Sequence, residues 1–113
     1  MSFKDELNKK VESYRGDLKR KALFFFSQLL KSAMIEAAEE GETKGSIDLS
    51  DIENEFEFID LSKLQRILIS MDKIKSEEKV FLWLLKEARA TSFFDDINIV
   101  ILDDNFLEFN WHD

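Results

Sequence analysis

The chain has 113 residues, 44 % hydrophobic and 35 % charged, the composition of one globular domain without room for a second. It contains no Cys, no Pro, three Gly and a single His, which excludes disulfide frameworks, cysteine zinc sites, thiol catalysis and glycine-rich phosphate cradles. A formal net charge of −8 argues against a basic nucleic-acid binder, so no direct nucleic-acid contact is expected.

From Phe3 to about Glu40 nothing in the chain forbids helix. Apolar residues fall at Phe3, Leu7, Val11, Tyr14, Leu18, Ala22, Phe25, Leu29 and Ala33, in steps of four, four and three. That eleven-residue repeat is close to the 3.6-residue period of a straight helix and unlike the 3.5 of a left-handed coiled coil. In the first half the stripe is the only apolar surface, whereas from Ala22 onward Leu23, Phe26, Leu30, Met34 and Ala37 widen it into a core face. Such a helix would run about 57 Å, against about 35 Å for the diameter of a domain this size. Either Gly16 marks a kink or residues 1–20 project as an arm. The stripe Phe3, Leu7, Val11, Tyr14 and Leu18 would then be covered by a second protomer, and a homo-oligomer is expected. Gly41 is placed to end the helix, after the poorly matched anions Glu36, Glu39 and Glu40.

Gly45 to Ser50 alternates and predicts a short strand with Ile47 and Leu49 on one face. Residues 51–60 are ambiguous between strand and helix. Ser50 with Glu53 has the pattern of a capping box ahead of Ile52, Phe56 and Ile59. Pairing the stretch back on the first strand would set Asp48 against Glu57, so a short helix or turn is expected. Asp60 should cap a helix over Leu61–Asp72, and Ser76 another whose core face is Val80, Phe81, Leu84, Leu85 and Ala88. Ile97–Leu102 and Phe106–Trp111 predict a hairpin. Its apolar pattern requires opposed residue numbers to sum to 208, with Asn105 in the left-handed position of the loop. The expected fold is therefore a single α+β domain over 1–113. It has a long first helix, a short strand, two or three further helices and a C-terminal hairpin, forming a small three-stranded antiparallel sheet covered by helices on one face.

Charge is segregated along the chain. Residues 1–35 carry +4, residues 36–60 carry −9, residues 61–92 carry +3 and residues 93–113 carry −6. The start of the chain is charged from Lys4 and the longest apolar run is Val80–Leu85, so a cytoplasmic protein with no membrane partner is expected. Lys outnumbers Arg by 12 to 4, and Ile and Phe outnumber Ala, as in proteins of low-GC bacteria and their phages.

Catalytic chemistry finds little to work with. His112 is the only imidazole, and no serine elbow accompanies it. The carboxylate groups Asp48/Asp51/Glu57, Asp95/Asp96 and Asp103/Asp104 lack the spacing of a calcium loop. No catalytic residue, metal ligand or cofactor is assigned. Surface apolar residues are the better lead: Trp83, Phe24, Ile35 and Ile69 lie off their helices' core faces. Combined with Glu53, Glu55, Glu57, Asp95 and Asp96, they describe a non-enzymatic protein-interaction module, probing for a partner of basic character. Two alternatives are an inhibitor presenting carboxylates in place of nucleic-acid phosphates, and an enzyme using a carboxylate-bound metal.

Overall fold

The structure, a computed structural model, describes residues 2–57, 59–76, 79–103 and 106–111. Its first element is one unbroken helix, α1 (Phe3–Glu39), which runs through Gly16 without interruption. Ser2 starts it: the Ser2 side chain accepts from the Asp5 N–H (3.2 Å) and the Asp5 carboxylate accepts from the Ser2 N–H (3.4 Å). Gly41 ends it. At φ 80° it lets the Gly41 and Glu42 N–H groups donate back to the carbonyls of Ala38 (3.0 Å) and Ala37 (2.9 Å). Thirty-seven residues span about 55 Å, and the molecule's long axis is 59 Å against 26 and 23 Å in the other directions. The helix is longer than the rest of the molecule is wide.

The buried positions of α1 are Leu18, Ala22, Phe26, Leu30 and Met34. All five belong to the stripe and the widened core face expected from the sequence, and Phe25, Leu29 and Ala33 of the eleven-residue repeat lie half-buried beside them. Steps of four advance about 40° per turn beyond a full revolution. The covered line therefore winds around the helix as the other elements wrap it, rather than following the straight stripe of the first half.

Strand β1 (Lys44–Asp48) stops short of the expected Ser50. The Asp48 carboxylate accepts from the Ser50 N–H (2.9 Å) and Ser50 Oγ–H (2.7 Å), so Asp48 caps the short helix α2 (Leu49–Glu55). Ser50 with Glu53 is thus not the cap. Leu49 is the first residue of the helix and is buried there instead of in a strand. Ile52 and Phe56 are buried and Ile59 is half-buried, as the helical reading of this stretch requires.

Helix α3 (Leu61–Ser70) is capped by Asp60, whose carboxylate accepts from the Lys63 N–H at 2.9 Å. It ends two residues before the expected Asp72. Asp72 is left-handed (φ 57°) and returns the Asp72 and Lys73 N–H groups to the carbonyls of Ile69 and Leu68, as Gly41 does for α1. Helix α4 (Val80–Ala90) begins four residues after Ser76, because Lys79 is still extended (φ −80°, ψ 143°) and contributes no side-chain cap. Its five expected core residues are all buried. A single 3₁₀ turn (Ser92–Phe94) leads into the hairpin.

The hairpin has the expected register. Strands β2 (Asn98–Leu102) and β3 (Phe106–Asn110) pair Ile99 with Phe109 and Ile101 with Leu107. Ile97 and Trp111 lie one residue beyond the ladder and are half-buried. The left-handed residue in the described part of the connection is Asp103 (φ 52°); Asn105 lies outside the described residues. β1 pairs antiparallel with the other side of β3, Ile47 opposite Leu107 and Gly45 opposite Phe109, giving the order β1-β3-β2. Helices cover the face carrying Ile99, Leu107 and Phe109, and the core contains no buried polar or charged residue among the described ones.

Candidate interaction surface

Among the described residues, three apolar areas stand out as uncovered. The first is the outer part of α1. No described residue before Leu18 is buried. Phe3 is 73 % exposed, and Leu7, Val11 and Tyr14 are each about half exposed. Leu18, expected to share this stripe, sits inside the protomer's own core at 8 % exposure. The boundary is marked by α3, whose Lys63 Nζ lies 4.4 Å from the centre of the Tyr14 ring. Below it, Asp17 and Arg20 form an ion pair one turn apart. At this level the body therefore lies on the side of α1 that the stripe faces.

The second area flanks the inner half of α1. Phe24 and Ile35 are exposed, in agreement with their places off the core face. Phe93 joins them: it is 62 % exposed, sits edge-on to buried Phe94 with centroids 5.0 Å apart, and has Lys31 Nζ 4.2 Å above its ring. Ile35, Met34 and Ala38 also line a shallow cleft with Asp96, Ile97 and Trp111. Ile35 and Asp96 are thus brought together. Trp83 and Ile69 are not part of this area; each is half-buried and packs against the core, so neither stands free as an anchor. Glu53, Glu55, Glu57 and Asp95 are exposed. Phe93 was legible only as one of two adjacent aromatics before an acidic pair, of which a single turn can bury one.

The third area is the outer face of the sheet, where Val100, Leu102 and Phe106 are each a little under half exposed. Glu108 shares that face, opposite Val100 and Ser46.

The hydrogen bonds from the Ser50 hydroxyl and Ser50 N–H hold the Asp48 carboxyl below its ordinary value, a capping effect on an accessible side chain. Among the described residues no group of three His, Cys, Asp or Glu side chains converges as metal ligands would. No helix in the described residues is long and apolar enough to cross a membrane.

No family model, no curated protein and no solved structure matches the chain.

Proposed function

We propose that this chain is a non-enzymatic protein-interaction module whose docking element is the outer part of α1. The observation that carries the reading is the exposed stripe Phe3, Leu7, Val11 and Tyr14, held out beyond the body on a continuous helix. An isolated helix of twelve to fifteen residues is marginal in water, and most helical stability in proteins comes from packing an apolar face. The arm has such a face, and its own protomer leaves most of it open, with Lys63 of α3 reaching the Tyr14 ring at its inner end. Protein contact supplies the missing cover.

Light scattering on a size-exclusion column, from micromolar to near-millimolar protein, tests this. The expected result is a mass above 13.3 kDa that rises with concentration, and its collapse to the protomer in a Leu7→Asp, Val11→Asp variant with an unchanged thermal transition. A protomer mass at every concentration, identical in the variant, would refute it.

A further inference from the structure

We infer that the arm's partner is the arm of a second copy, packed antiparallel about a two-fold axis near Asn8. This rests on the reading above and specifies its occupant. The reasons are steric, electrostatic and dimensional.

At the level of Tyr14 and Leu18 the body meets α1 on the side that the exposed stripe faces, as the burial of Leu18 and the reach of Lys63 to Tyr14 show, before the covered line winds away along the helix. Two arms packed parallel through this stripe would bring both bodies to the same end and the same side, into one volume. Antiparallel packing sends them to opposite ends. The partner helix can then enter the notch between one arm and its body, with its Ser2 ending near the level of Tyr14 and clear of Leu18.

The arm's charge permits this. Residues 2–14 carry three bases (Lys4, Lys9, Lys10) and three acids (Asp5, Glu6, Glu12), so two arms meet without net repulsion. The basic excess of α1 starts at Arg15, beyond the overlap. At about 100° per residue, Lys4 lies to one side of the stripe and Glu6 and Lys10 to the other, whereas Glu12 points away from it. Residues on the same side face one another only across an antiparallel contact. With the axis at the level of Asn8, Glu6 comes level with the partner's Lys10, twice by symmetry. In the same register Leu7 interleaves with the partner's Leu7 and Val11, and Phe3 with the partner's Val11 and Tyr14.

Four partly exposed apolar residues per arm give a contact on the order of 1,000 Å² in total, at the small end of specific interfaces. The dimer is therefore reversible and concentration-dependent.

The experiment is zero-length carbodiimide crosslinking of the full chain, using a mixture of normal and ¹⁵N-labelled protein so that inter-chain links are identified by mass. Antiparallel arms give mixed-isotope links joining Lys10 to Glu6. Charge swaps support the assignment if Glu6→Lys alone weakens the dimer at least several-fold and Lys10→Glu with Glu6→Lys restores it. Links joining Lys4 to Glu6 would mean parallel arms and overturn the inference. Links from the arm to residues of the sheet or α4, with masses beyond a dimer, would mean head-to-tail docking and overturn it equally. In both cases the broader reading of the arm as a docking element survives. A protomer mass with no mixed-isotope link removes both.

Discussion

Gly45→Ala isolates a single contact in the sheet. Gly45 lies in β1 directly opposite Phe109 of β3, and a Cβ added there would stand 2.6 Å from Phe109 Cζ and 3.2 and 3.3 Å from the two Cε atoms. Carbon atoms pack at about 3.5–4.0 Å, so the ring would have to move by roughly 1 Å. It has little room to do so. Phe109 is 2 % exposed and its ring is stacked on Trp111, with centroids 6.1 Å apart and planes 4° from parallel. Overpacking of this kind costs about 1–3 kcal/mol. Restricting the unfolded chain returns about 0.4–1 kcal/mol, because Gly45 needs no left-handed backbone. The net expectation is a loss of about 1–2 kcal/mol, which for a domain of this size lowers Tm by about 4–10 °C. Urea denaturation and calorimetry measure it. The companion variant Phe109→Leu tests the cause: it destabilises by itself, yet in its background Gly45→Ala should cost little or nothing. Equal stability of Gly45→Ala and wild type, or an unchanged cost in the Phe109→Leu background, would refute the argument that the ring occupies the space above Gly45.

Three further outcomes are expected. Gly16→Ala should stabilise by about 0.5–1 kcal/mol, seen in denaturant midpoint, since the helix is already continuous and the nearest neighbour of the new Cβ is the flexible Arg20 guanidinium at 3.4 Å. Asp72→Gly should raise stability by roughly 1 kcal/mol, because the left-handed cap of α3 is now borne by a residue with a Cβ. Asp48 has a folded pKa below its ordinary value, so its contribution is complete above about pH 4 and is lost as pH falls through the folded value. Asp48→Asn keeps a capping oxygen but cannot titrate. The wild type's advantage over it, followed by denaturation between neutral and acid pH, should therefore shrink on acidification; an advantage constant with pH would show that this carboxylate contributes nothing through ionisation.

Periodicity made the hairpin register, the core face of α4 and the length of α1 legible, because each depends on which side chains share a face. Element boundaries were less legible, and for local reasons. Asp48 and Ser50 both carry an oxygen able to cap a helix, and only the burial of Leu49 decides between them. Asp72 ends α3 by adopting a backbone that the sequence marks clearly only when glycine is present. In the second half of α1 the apolar arc showed that Phe26, Leu30 and Met34 join the core face, but not that they, rather than Phe25, Leu29 and Ala33, lie deepest. A repeat along one helix cannot record the direction from which α3, α4 and β1 approach it. The same limit applies to the surface: Phe24 and Ile35 lie off the core face and are exposed, whereas Trp83 and Ile69 lie off theirs and are half-covered by neighbours that a helical wheel does not include.

The sheet order β1-β3-β2 has a consequence for how the chain is made. The middle strand is the last of the three to be synthesised, so β1 and β2 have no shared neighbour until residues 106–110 exist. Leu107 and Phe109 close the floor of the core, and before they arrive the helices have only one another to pack on, as in the Phe26–Phe81 and Phe56–Phe81 ring contacts. A growing chain thus keeps one face of its core open until β3 has been made. Stalled or shortened products lacking β3 should accordingly be ligands for chaperones and proteases rather than partially folded proteins.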